Sequence, residues 1–392
     1  MRKIFAVVLT LSIGTTLSAQ TEKQFDTSKV YQPIISADRA KLLSNVDVIA
    51  NMQFGFSNYF TDGKYDESKF ALNQFRLEIK GKVHEKVYYR FRNRYTRAPD
   101  PQSQDNVNRS VDMAFIRIDA TPKWNFTLGK MCADWGGYEF DFNPIEMYAY
   151  NDFIDNSDNF LTGVQAQFIA SPQHTFTAQV LNSRTKTFEE IYDTIPGVVP
   201  AKFPAALVGN WRGNFGNGKF TTLWSYSNFL EAKGKSMFYL ALGNKYTFKK
   251  GTLIYDFKWS HQDIDRTGII SGMVPDNIYP YAAENTEYVE HWLQLQYRFT
   301  PKWKASIVGM TSNAYWKSNP DNTPNKEDLL RTSYGIIPAV EFYPFKNLNL
   351  RFYATHIMRF YNYSDYAKNR AGYSNYSTGR FMLGFISPLL IL

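Results

Sequence analysis

Residues 86–97 read KVYYRFRNRYTR. Taken with a period of two, Val87, Tyr89, Phe91, Asn93 and Tyr95 fall on one face, and Lys86, Tyr88, Arg90, Arg92, Arg94 and Thr96 on the other. Side chains of a β-strand alternate between its faces, and those on one face recur about every 7 Å. One strand would therefore carry a column of arginines with an apolar, aromatic face behind it. Such a column is costly in the dry interior of a soluble protein. A water-filled membrane barrel accepts it, because lumen-facing polar residues there alternate with lipid-facing apolar ones.

The rest of the chain repeats this rhythm. Segments of about ten residues, enough for a tilted strand to cross a bilayer, lie near 46–58, 70–82, 86–97, 111–120, 123–131, 160–170, 174–183 and 205–215. They continue near 218–229, 236–248, 251–261, 286–299, 303–313, 331–343, 347–360 and 374–387. Their connections alternate short and long. Thr121-Pro122-Lys123-Trp124 and Thr300-Pro301-Lys302-Trp303 are typical short ones; Pro sets the turn, and Trp opens the next strand where an interfacial aromatic belt sits. The long ones, near 59–69, 98–110, 132–159, 184–204, 262–285, 314–330 and 361–373, are polar. Short turns at one end and long loops at the other are the outer-membrane pattern. The expectation is an all-β fold: a sixteen-stranded antiparallel transmembrane β-barrel with short periplasmic turns and long extracellular loops.

Composition agrees. Aromatics make up 17% of the chain, with 27 Tyr and 31 Phe, and the single Cys132 rules out an intrachain disulfide framework. No run of 18 apolar residues offers a helical membrane span. Arg2 and Lys3, the apolar run Ile4 to Leu11, and Leu17-Ser18-Ala19 mark residues 1–19 as an expected signal peptide. Residues 20–45 are then a periplasmic N-terminal segment, with a short helix near Ser36–Leu43, and 46–392 are the barrel. Removing Arg2 and Lys3 takes the net charge from +8 to +6. That excess does not point to nucleic acid, since no aromatic-basic platform or groove-reading helix is present.

With apolar faces turned to lipid, the inward set contains Arg76, Lys80, Lys82, Lys86, Arg90, Arg92, Arg94, Arg212, Lys245, Lys258, Arg298, Lys304, Arg351, Arg359 and Arg380. The inward acids are Glu78, Asp256, Glu290 and Glu341. On 111–120, Ala114, Ile116 and Ile118 face lipid, which places Arg117 and Asp119 inside. A wall of one sign concentrates counter-ions, and Arg can grip phosphate or carboxylate with two donors. An 81–86 turn centred on His84 would set Arg92 opposite Arg76 and Glu78 opposite Arg90.

The longest connection, 131–160, carries Asp134, Glu139, Asp141, Glu146, Asp152, Asp155 and Asp158 and no Lys or Arg. It also holds Trp135, Tyr138, Phe140, Phe142, Tyr148, Tyr150 and Phe153, too many aromatics for a loop in water. This third loop is expected to fold into the tube and narrow it. Acids facing the basic wall would then create a transverse field there.

Several segments resemble the phosphate-selective porin O and P family: FALNQFRLEIKGKV (70–83), KVYYRFRNRYTR (86–97), VDMAFIRIDATPKWNFTLGK (111–130) and NFLTGVQAQF (159–168). The resemblance implies a sixteen-stranded homotrimeric outer-membrane porin passing phosphate or polyphosphate along a ladder of Arg and Lys. It puts Arg76, Arg90, Arg92, Arg94 and Lys130 on that path; the basic wall adds Arg117, Arg351 and Arg359. The inward loop is acidic here, whereas the family's is basic.

The expected function is passive diffusion of small anions or other hydrophilic solutes across the outer-membrane lipid, with Arg90 and Arg92 raising the anion concentration at the narrow point. A structural or adhesion barrel with an occluded lumen is the alternative. Five scattered histidines, His84, His174, His261, His291 and His356, form neither a metal-spacing cluster nor a nucleophile motif, so no enzyme, cofactor or metal is expected.

Overall fold

A computed structural model describes residues 45–100, 102–318 and 328–392; the expected signal peptide and the expected helix near Ser36–Leu43 lie outside them. The strands are β1 (Val46–Thr61), β2 (Lys64–His84), β3 (Val87–Arg94), β4 (Val111–Asp119), β5 (Trp124–Cys132), β6 (Phe160–Ser171), β7 (His174–Asn182) and β8 (Ala205–Phe215). They continue as β9 (Phe220–Ala232), β10 (Lys235–Phe248), β11 (Gly251–Ile264), β12 (Glu284–Thr300), β13 (Trp303–Trp316), β14 (Leu329–Phe342), β15 (Arg351–Tyr363) and β16 (Tyr376–Leu390). Each pairs antiparallel with its neighbours in sequence, and β1 pairs with β16 (Phe54 opposite Phe385), which closes the barrel. Closure leaves no strand edge unpaired, as spanning a bilayer with strands requires.

The alternation is inverted relative to a soluble protein. On β12, Leu293, Leu295 and Tyr297 are each at least 40% exposed, while Glu290 and Trp292 are almost fully covered. Grease outside and polar or loop-covered residues inside is stable only in lipid.

Two local details differ from the sequence reading. The 59–69 connection is no long loop: Asp62 and Gly63, both at positive φ, turn β1 directly into β2. Asp-Gly favours such a two-residue turn, and the polar strand ends around it mimic a loop. Lys233-Gly234 likewise joins β9 to β10 tightly. In the β2–β3 hairpin, His84 pairs with Val87 and a bulge falls between Lys82 and His84. The turn therefore sits at Glu85-Lys86, and Arg94 rather than Arg92 lies opposite Arg76, with Arg92 opposite Glu78.

The lumen is not uniformly wet. Leu223, Ile254, Trp292, Val308 and Ile337 point inward from β9 and β11–β14 and pack with Ile145 and Met147 of the third loop. A second apolar cluster joins Trp135, Phe153 and Ile154 of that loop to Phe229, Tyr239 and Tyr288. The lumen beside these strands is filled by a core that the loop completes.

Candidate pore and its constriction

The third loop enters the lumen after Cys132 and crosses it as a strap. Asp134 N–H donates to Gln179 on β7 at 2.7 Å, and Ser225 Oγ on β9 donates to Trp135 O at 2.5 Å. Gly137 then lets the backbone approach the wall. A Cβ on Gly137 would stand 2.6 Å from Asp256 Cγ. Behind it starts a one-turn helix, α1 (Tyr138–Asp141), whose first N–H groups, of Tyr138 and Glu139, donate to the Asp256 carboxylate at 3.0 and 2.7 Å. An anion at a helix start satisfies donors that the helix itself leaves open.

Further along, Gln53 on β1 donates to Ile145 O and Met147 O at 3.0 and 3.2 Å. Arg380 on β16 donates to Tyr148 O at 2.9 Å, and Arg359 on β15 to Tyr150 O at 3.0 Å. A second short helix, α2 (Asp152–Asp155), is tied by Phe153 N–H to Glu290 at 2.9 Å. The strap thus grips β7–β9, β11–β16 and β1, and the open bore is pushed against β2–β6. That bore is a cavity of about 810 Å³.

Five of the strap's seven acids pair with the gripped wall. Glu139 forms a fully buried ion pair with Lys258, which also lies 3.3 Å from Glu290. Burial pushes the Glu139 carboxyl above its ordinary value, and the Lys258 charge pulls it back. Glu146 meets Arg351 at 3.2 Å. Asp152 binds Arg331 and Ser333, each at 2.6 Å, and also Arg359. Asp134 and Asp141 both bind Arg212 at 2.8 Å. Burial raises the Asp134 carboxyl, and Arg212 opposes the rise. Asp158 accepts from Thr185 at 3.0 Å, outside the main bore. Asp155 lines the bore and forms no ion pair among the described residues.

Of the expected anion-path residues, Arg76, Arg90, Arg92, Arg94 and Arg359 line the bore. Arg76 and Arg92 are buried, however, and share one carboxylate, Asp112, at 2.7 and 3.3 Å. Arg90 is held by Glu78 at 3.0 Å. Three other expected residues stand away from it. Lys130 is buried against Asp105 at 3.0 Å, Arg117 pairs with Asp119 at 2.9 Å, and Arg351 pairs with Glu341 at 3.0 Å. Arg97, Arg212 and Arg380 complete the lining. Alternation along the sequence places Arg212 and Arg380 inside but not on the path, and puts Arg97 at the end of a strand that in fact stops at Arg94. Eight arginines and three carboxylates line the bore, and among the described residues Arg94, Arg97 and Arg380 form no ion pair.

A family model described as phosphate-selective porin O and P matches residues 46–385. The chain belongs to that family. It is an outer-membrane β-barrel of the porin type. Among solved structures it is similar to the outer-membrane channel DcaP of Acinetobacter baumannii, with TM-score 0.57 and 11% identity over 87% of this chain and 98% of that one. OmpT of Vibrio cholerae aligns with TM-score 0.52 and 11% identity over 87% and 97% of the two chains. OmpF of Salmonella typhi, solved with daunomycin, aligns with TM-score 0.51 and 14% identity over 87% and 98%. At such identities the likeness is one of fold. No curated protein sequence matches this porin significantly.

Proposed function

We propose that this porin is a passive diffusion channel for small hydrophilic solutes with a bias toward anions, phosphate among them. One observation carries the reading. Asp134, Glu139, Asp141, Glu146 and Asp152 of the strap are engaged by wall cations, so that Arg94, Arg97 and Arg380, which form no ion pair among the described residues, face the bore with Asp155 as the one unpaired carboxylate lining it. Uncompensated positive charge in a low-dielectric bore raises the local anion concentration. The residues are read as a channel's and not an enzyme's, in keeping with the family. The family resemblance, together with a trimer form of Vibrio cholerae OmpT, supports a homotrimer in outer-membrane lipid. Residues 1–19 are read as the export signal.

The test is the zero-current potential across a planar bilayer under a potassium chloride gradient, repeated with potassium phosphate. A potential displaced toward the anion's equilibrium value is expected in both. A potential at zero, or of cation-selective sign, would sink the anion bias.

A further inference from the structure

Across the bore from the arginine column stands a different surface. The strap turns Phe140, Phe142, Tyr148 and Tyr150 toward the open space, and all four are only half-buried. They are held from behind. Phe140 packs on Trp135 with ring centroids 4.8 Å apart, Phe142 on Trp292 at 6.2 Å, and Tyr148 on Tyr353 at 5.1 Å. Trp135 and Trp292 are among the most deeply buried side chains of the chain. The strap's backbone is fixed too, by Asp256 at α1 and by Arg359 and Arg380 at Tyr150 and Tyr148. The result is a preformed aromatic shelf that faces guanidinium groups across water.

We propose that the bore selects small organic anions with a flat apolar body, the aromatic carboxylate class, over equally charged anions that lack one. This deepens the anion-channel reading and rests on it. A carboxylate meets Arg94, Arg97 or Arg380 while its ring lies on Phe140 or Phe142. Rings stack face to face with offset or edge to face, and each contact also removes apolar surface from water. Acetate or phosphate gains only the first half of that interaction. Because the shelf is anchored, little side-chain freedom is lost when a ring docks.

The experiment measures block of single-channel chloride current by sodium acetate and sodium benzoate on the same channels. Benzoate is expected to halve the current at roughly a tenth of the acetate concentration. The ratio should fall toward unity in Phe140→Ala/Phe142→Ala. Phe142→Leu, which keeps an apolar side chain but no ring, should give a smaller fall. Equal block by the two anions in a channel that still prefers chloride to potassium overturns this inference and leaves the anion reading standing. A benzoate preference that survives the double variant overturns the assignment to the shelf. Loss of chloride preference itself would remove the underlying reading.

Discussion

Asp112 Oδ2 accepts a hydrogen bond from Arg76 Nε at 2.7 Å, with both side chains buried in the wall. Strict alternation would put Asp112 on the lipid face with Ile116 and Ile118. A bulge prevents this: Arg92 pairs with Met113 and Asn93 with Val111, so Asp112 falls between and turns inward. One carboxylate then answers two arginines, Arg76 and Arg92. Much of the column that marks the sequence so plainly is therefore structural charge, neutralised within its own wall.

Asp112→Asn should leave two buried guanidinium groups without their carboxylate. Breaking a buried pair by removing one partner costs about 3–5 kcal/mol. A lower urea midpoint for the loss of the compact band on an unheated gel is expected. Protein that still inserts should show stronger anion preference than the parent. An unchanged midpoint would mean that Asp112 is not the counter-charge.

Selectivity should follow the arginines without ion pairs. Arg94→Gln/Arg97→Gln should lower the chloride-to-potassium permeability ratio roughly two- to fivefold. Arg92→Gln should change it less, since that guanidinium is already answered by Asp112. The reverse order, with Arg92→Gln the more damaging, would put the anion path deeper in the wall.

The barrel was legible because lipid enforces a period of two on every strand, and the third loop announced itself by carrying aromatics and acids with no base. What the loop touches was hidden. Asp256, Lys258, Glu290 and Arg359 lie more than a hundred residues beyond the loop residues they touch, and nothing local pairs them with Glu139 or Asp152. The inward apolar residues were hidden for the same reason. Trp292 and Val308 share their strand faces with Glu290 and Lys304, so alternation turns them inward, but nothing local announces the core they join once the strap has docked. Asp112 was hidden by its bulge, and the Asp62-Gly63 hairpin by polar strand ends that read as loop.

Cys132 offers a native probe of the bore's potential, since it lines the cavity as the chain's single cysteine. A negatively charged methanethiosulfonate reagent should modify it faster than a positively charged one of similar size, by a ratio on the order of 10 at low salt. The ratio should collapse near 1 M salt, where the screening length is about 3 Å. Faster reaction with the cationic reagent would mean that Asp134, Asp141 and Asp155 dominate the field there.

The strap's seat predicts a pH switch that the parent lacks. Glu139 sits buried between Lys258 and the start of α1, and the Lys258 charge opposes the upward push of burial on its carboxyl. Lys258→Met removes that opposition, so the docked Glu139 should hold a proton to higher pH than before. A group whose docked pKa is raised favours docking below that value and loses it as pH climbs through it. Above it, Glu139 ionises beside Glu290 and Asp256 with no cation near, and the strap should leave the wall. Conductance of Lys258→Met channels should therefore rise, with added current noise, as the pH is raised from mildly acid to mildly alkaline, while the parent stays flat. A conductance that falls over that range, or matches the parent throughout, would mean that the Glu139–Lys258 pair does not hold the strap in place.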